Sequence, residues 1–236
     1  MLHQIVEYAV SHALAAEPGF APKEARWAIL CTAAGAYLGV VELGDVENKK
    51  NPGRRFPKAA DLSQPEMKAG GITKSHFLID TACVVALLGK EPPQQKHEYF
   101  IALLEKASIA MPALAAAARM LRDEEVLARL RSGLEERKAK PTDKITLRID
   151  SEFPVDSDAW HDWWRTFRRQ LQTGKDKSRK SPSAQMLCFL TGEPVTPAAT
   201  HPKISGLTSV GGLAMGDVLV GFKQESFRSY GLQQSV

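Results

Sequence analysis

Three of the chain's four tryptophans stand within five positions, Trp160, Trp163 and Trp164, and Phe167 and Leu171 carry the same i, i+3, i+4, i+7, i+11 spacing onward. That spacing is one face of an α-helix. A helix so loaded on one side must bury that side, because each large aromatic holds about 150–250 Å² of surface that water disfavours. The chain is therefore expected to build a core able to seat this stripe, and 236 residues with 44% apolar content are enough for one. Base stacking is the other use that exposed aromatics of this kind could serve.

The rest of the chain supplies both helices and strands. Residues 2–15 place Leu2, Ile5, Val6, Ala9, Val10 and Ala13 at helical spacing, and Pro18 with Gly19 ends the pattern. The runs 26–32 and 37–43, separated by AAGA, predict a hairpin. Residues 76–89 predict a buried helix, and a longer helical region begins at 99–104, is interrupted by Pro112 and resumes to Arg137. In 144–150 strict alternation sets Ile145, Leu147 and Ile149 against Lys144, Thr146 and Arg148, a strand with one wet face. Past the aromatic helix, GKDKSRKSPS is a polar linker, and MLCFL and DVLVGF predict strands. The expected class is α+β, with an N-terminal helix and hairpin, central helices, short antiparallel strands and a C-terminal β-rich segment. The expected divisions are an α+β region over 1–173, a basic linker over 174–185 and a β-rich segment over 186–236.

No apolar run approaches the roughly twenty residues of a membrane helix, so no membrane partner is expected. The opening residues 1–16 carry His3, Glu7 and His12 and lack the basic start and unbroken apolar run of a secretory signal. Cys31, Cys83 and Cys188 are odd in number and far apart, as befits reduced thiols. These features together predict a cytoplasmic protein.

Charge is unevenly placed. The formal net charge is +4, yet residues 49–58 (KKNPGRRFPK) hold Lys49, Lys50, Arg54, Arg55 and Lys58 with no acid, a local +5. Residues 160–180 hold Arg165, Arg168, Arg169, Lys175, Lys177, Arg179 and Lys180 against Asp162 and Asp176, again +5, which leaves the remainder at −6. Two basic segments on an acidic body fit local grip on a polyanion through phosphate contacts that release counterions. They fit equally a pair of solvated surface loops.

Nothing in the motifs demands catalysis. His161-Asp162 has the dipeptide of metal-dependent phosphohydrolases, but His3, His12, His76, His97 and His201 show no matching arrangement. Cys188 and His201 lack the Cys-x-x-Cys and second His of a zinc site, and the glycines of SVGGLAMGD have neither phosphate-loop nor dinucleotide spacing. There is no Gly-x-Ser-x-Gly elbow. No catalytic residue, metal or cofactor is expected.

Three C-terminal motifs point to a family. They read Cys188-Phe189-Leu190-Thr191-Gly192-Glu193, His201-Pro202-Lys203-Ile204-Ser205-Gly206 and Phe227-Arg228-Ser229-Tyr230-Gly231-Leu232-Gln233-Gln234. In order and spacing they resemble the large subunit of the type I-C CRISPR surveillance complex, Cascade. Upstream, GGITKSHFLIDTACVVALLG resembles that family's Gly-Ile loop leading into Phe-Leu-x-Asp, and KKNPGRRF its basic segment after the first hairpin. The family's Asp-Asn dipeptide stands here as Asp80-Thr81, and Ser75 or His76 stands where its loop has asparagine. Family members are longer, so the chain is expected to correspond to their N-terminal portion, as a fragment or a naturally short or split version.

The resemblance implies a non-catalytic subunit that binds double-stranded target DNA, recognises the protospacer-adjacent motif, supports strand separation and offers a surface to a CRISPR-associated helicase-nuclease. Its other partners would be subunits of the CRISPR RNA-guided complex. Under it, Lys49, Lys50, Arg54, Arg55, Lys58, Arg165, Arg168, Arg169 and Lys203 are the candidates for the DNA backbone, and Lys74, Ser75 and His76 for reading the motif. Two other functions stay open on the residues: a metal-dependent DNA-processing enzyme using His161 and Asp162, and a protein–protein interaction module of a larger assembly.

Overall fold

The computed structural model describes residues 17–44, 53–67 and 73–173 in continuous stretches, and besides these residues 4, 7, 8, 11, 186–187, 192, 194–195, 208–213 and 217. The chain forms two compact units, one of Ala16–Lys177 and one that joins Met1–Ala15 to Ser178–Val236. In the first, the order is β1 (Phe20–Ala25), β2 (Trp27–Cys31), β3 (Tyr37–Glu42), β4 (Arg54–Ala60), α1 (Gln64–Met67), β5 (Asp80–Thr81), α2 (Ala82–Val85), α3 (Gln94–Ala107), α4 (Ala113–Arg122), α5 (Glu124–Glu136), β6 (Lys144–Ile149), a 3-10 turn (Pro154–Asp156) and α6 (His161–Thr173). In the second, Gln4, Glu7, Tyr8 and Ser11 are helical, as the 2–15 pattern predicts, and β7 (Met186–Leu187) pairs antiparallel with β8 (Pro194–Val195). The fold is α+β. Among the described residues no helix is long and apolar enough to cross a membrane.

The predicted hairpin is present as β2–β3, and β2 also pairs with β6 in parallel, giving a mixed sheet of order β3-β2-β6-β5. β6 thus lies between β2 and β5, with neighbours on both edges. The one-wet-face expectation for 144–150 is corrected accordingly: Thr146 is buried and donates to the Leu78 carbonyl at 3.1 Å, while Lys144 is exposed and Arg148 half-buried. A central strand covered on both faces buries even its polar members, provided each finds a partner.

The helix expected over 76–89 is replaced by an extended segment, the two-residue β5 and the single turn α2. Asp80 is the cause. Its carboxylate accepts the backbone N–H of His76 at 2.7 Å and of Thr81 at 2.7 Å, offering those donors a partner that a helix would have to supply from the backbone. Leu78 and Leu87, at φ 62° and 53°, turn the chain on either side.

The basic stretch after the hairpin is also more than a loop. Arg54–Ala60 is a strand paired antiparallel with β1, a strand the sequence pattern does not predict because FAPKEA lacks alternation. Pro22 and Pro57 fall beside the register break between Ala21 and Lys23, as suits a two-stranded ribbon that can lose a ladder bond. In the helical region Pro112 separates α3 from α4 as predicted. Asp123 adds a second break by capping α5, its carboxylate accepting from the N–H groups of Glu125 and Val126.

The aromatic stripe seats the core. Trp160 and Trp164 are fully buried, and Phe77 packs against Trp160, Trp163 and Trp164 with ring centroids 5.5, 5.1 and 5.7 Å away. Both buried indoles are satisfied, Trp160 donating to the Pro154 carbonyl at 2.9 Å and Trp164 to the Gly19 carbonyl at 2.7 Å.

Candidate nucleic-acid interface

α6 docks on the turn at residues 17–19, and three of its side chains grip three successive residues there. Arg165 donates to the Glu17 carboxylate at 2.5 and 3.0 Å, Arg168 to the Pro18 carbonyl at 2.5 Å, and Trp164 to the Gly19 carbonyl. Gly19 sits at φ +94°, and a Cβ there would meet the Arg168 guanidinium at 2.3 Å, so both conformation and space call for glycine. Arg168 also pairs with Glu66 at 2.8 Å, their side chains 14% and 3% exposed. Arg165 bonds Asp162 besides. Arg169 is exposed and donates to Thr166. Of the three arginines of α6 named for the DNA backbone, Arg165 and Arg168 are thus engaged with acids, while Arg169 stands at the surface.

β4 treats its cations differently. Arg55 is exposed, lies across from Glu24 in the β1–β4 register, and makes no ion pair among the described residues. Arg54 donates to Asp156 at 2.6 Å and stacks on Phe56 and Phe153, its guanidinium carbon 4.9 and 4.4 Å from their ring centres. Lys58 reaches Glu17 at 3.2 Å and lies over the Phe20 ring at 4.8 Å, the ring that Arg165 also covers at 5.5 Å. The structure thus brings Lys58 and Arg165, from the two basic segments of the sequence, onto one carboxylate and one aromatic. Two cations about Glu17 hold its carboxyl at about 2, the Arg165 hydrogen bonds first and Lys58 after, against an opposing effect of burial. Lys49, Lys50 and Lys203, and the motifs at 188–193, 201–206 and 227–234 apart from Gly192, lie outside the described residues.

The proposed reading loop faces inward. Lys74 and Ser75, two of the three candidates for reading the motif, are buried, 3% and 0% exposed. His76 keeps a third of its side chain in solvent. Behind it stands a lysine that sequence reasoning passed over: Lys23 on β1 has its Nζ 3.0 Å from His76 Nδ1, 2.9 Å from Asp61 and 2.8 Å from the Ala60 carbonyl, to which it donates. Burial lowers the Lys23 pKa, with Asp61 opposing, and burial followed by Lys23 lowers that of His76. Ser75 Oγ has no hydrogen-bond partner among the described residues. Only tertiary packing creates this cluster, since Lys23 and His76 are 53 residues apart.

His161 and Asp162 do not share a site. His161 is buried against the Trp160 and Phe20 rings with Nδ1 3.0 Å from Asp158, whereas Asp162 is exposed and bonded to Arg165. Among the described residues no cluster of three or more His, Cys, Asp or Glu is placed to hold a metal ion.

With this geometry in view, residues 2–236 match the family described as CRISPR-associated protein (Cas_Csd1). No curated protein matches the chain.

Proposed function

The chain belongs to the CRISPR-associated protein (Cas_Csd1) family, and from that premise we propose that it acts as a non-catalytic large subunit of a type I-C Cascade complex. In this role it holds double-stranded target DNA while guide RNA is matched against it. Its partners are the other subunits of the RNA-guided complex and a helicase-nuclease that it helps recruit. The observation that carries DNA binding is the outward end of β4, where Arg55 stands exposed beside a stacked Arg54. A phosphate can reach a guanidinium there without first breaking a buried ion pair.

Recognition of the protospacer-adjacent motif is assigned to the 73–80 segment, with His76 the member already at the surface. Lys74 and Ser75 take part only after the segment moves outward. Two features lower the cost of that movement: the Ser75 hydroxyl is buried without a hydrogen-bond partner among the described residues, and Leu78 sits at positive φ, both of which cost free energy. Reading base edges then supplies the Ser75 hydroxyl with a partner.

The test is a gel-shift series with the assembled complex on duplexes that differ only in the triplet beside the target, repeated across salt concentrations. Affinity that falls steeply with salt for every duplex, together with a preference among triplets that His76→Ala flattens, supports the proposal. Salt-independent binding overturns the phosphate grip, and an unchanged triplet preference in His76→Ala removes the segment from motif reading. Cleavage of DNA by the purified chain, stimulated by divalent metal, overturns the non-catalytic role.

A further inference from the structure

An open cleft of about 710 Å³ lies between β4, β6 and the turn that follows β6. Its lining includes Arg54, Arg148, Glu152, Phe153 and Asp156. Only Arg54 belonged to the segments that sequence charge singles out. Arg148 sits on β6, which pattern assigns to a solvated strand face, and Phe153 lies just before the 3-10 turn Pro154–Asp156.

The turn is built to hold Phe153 in place. Ile149 and Glu152 bridge each other, Asp150 takes φ 53°, its N–H donates to the Cys31 carbonyl at 2.8 Å, and its carboxylate accepts the N–H of Ala33 at 3.2 Å. The Phe153 ring then receives two guanidinium groups, Arg54 at 4.4 Å and Arg148 at 5.6 Å from its centre. Two cations held within 4.4 and 5.6 Å of one ring centre repel each other, and the ring offsets only part of that repulsion. What relieves it is an anion. In the structure that anion is Asp156, bonded to Arg54 at 2.6 Å with both side chains well exposed, 44% and 39%. Arg148 has no carboxylate partner among the described residues; its Nε makes a long bond of 3.4 Å to the Ser151 carbonyl. Glu152, exposed at the rim, also lines the cleft without an ion pair among the described residues.

We infer that this cleft is a phosphate-binding site whose resting occupant is Asp156, and that a backbone phosphate of the nucleic-acid ligand exchanges for that carboxylate between Arg54 and Arg148. The exchange is feasible because an exposed ion pair is weak and a backbone phosphate offers two non-bridging acceptor oxygens to two forked donors, where Asp156 engages one. Phe56 and Phe153 keep the Arg54 guanidinium ordered while its partner changes, so little entropy is lost on binding. The nature of the ligand rests on the function proposed above; the anion site itself does not.

The experiment therefore uses two probes on the full chain: inorganic pyrophosphate by calorimetry, and a fluorescent DNA duplex by anisotropy over a range of salt. Asp156→Asn should tighten both about two- to fivefold, the gain that follows from removing an exposed competing ion pair. Arg148→Ala should weaken both by about fivefold and reduce the salt slope for DNA by roughly one. Arg55→Glu, outside the cleft, should weaken DNA and leave pyrophosphate unchanged. A merely structural role for Asp156 would make its variant bind equally or worse, and that result for both probes overturns the inference. If Arg55→Glu weakens DNA while neither cleft variant moves either probe, the cleft falls and DNA binding stands. If the cleft variants move pyrophosphate as stated but no variant affects DNA, the anion site stands and the DNA-binding proposal falls.

Discussion

The two basic segments carry the same local charge in the sequence, yet Arg168 of one is held against a buried carboxylate while Arg55 of the other stands exposed. On α6, Arg165 and Arg168 lie along a helix whose other face is core, so they fall against the 17–19 turn and Glu66 and spend their donors on holding the helix down. On β4, the ribbon with β1 lifts Arg54 and Arg55 to an exposed end. The difference teaches that a run of cations signals a polyanion only where tertiary structure leaves the charges without buried partners. Arginine near a packed face is as useful for bonding carbonyls and carboxylates as for binding phosphate.

Several substitutions can break that contrast. The largest effect is expected from Trp164→Ala, which removes a fully buried indole and its bond to Gly19, and should cost about 3–5 kcal/mol in denaturant unfolding. A cost below about 1 kcal/mol would mean that α6 does not anchor this core. Next comes Glu66→Gln, which leaves the largely buried Arg168 without its counter-charge and should cost on the order of 3 kcal/mol, with much of the loss absent when Arg168→Met is added. Additive losses in that pair would show that the two side chains are not coupled.

On the other segment, Arg55→Glu should leave stability within about 0.5 kcal/mol of the parent, as expected of an exposed site, while duplex affinity at low salt falls by roughly tenfold. A variant that unfolds more easily but binds DNA normally would reverse the two assignments. A smaller effect is expected from acid. The folded state holds His76 below its ordinary 6.5, so its contribution to stability is complete above that pH and is lost as pH falls below it. Protonation beside Lys23 adds a second cation to a site also faced by Asp61, Asp80 and Lys144, and the protection factors of amides in the 73–80 segment, corrected for the intrinsic pH dependence of exchange, should fall as pH drops below 6.5. His76→Asn should remove that dependence. The smallest is Glu17→Gln. With its carboxyl held at about 2 rather than 4.5, Glu17 stabilises fully above pH 4.5 and ceases to as pH falls through 2, so the variant should flatten the acid limb of the stability curve over that interval. The step is small because both Glu17 and Arg165 are partly exposed.

Much of the fold was legible because local pattern and tertiary role agree. The stripe at Trp163, Trp164, Phe167 and Leu171, with Trp160 just before it, forms the core-facing side of α6, the AAGA link closes the β2–β3 hairpin, and Pro112 parts α3 from α4. Pattern failed where a distant group intervened. Apolar Phe77, Leu78 and Ile79 look helical until the Asp80 carboxylate takes the N–H groups on either side of them. β1 has no alternation of its own and exists because β4 is there to pair with it. The candidate site was legible only in part: Arg54 and Arg55 stood out by charge, but Lys23, Arg148 and Phe153 acquire their neighbours from elsewhere in the chain.

By itself the sequence settled the α+β class, the helix that must be buried and the number and sign of the charges, since those depend on residue spacing and chemistry within a few turns of chain. Tertiary structure alone decided which cations are neutralised and which remain at the surface. Charge pairing depends on distances through space, and Glu17, Glu66 and Asp156 reach their arginines across 148, 102 and 102 residues of sequence.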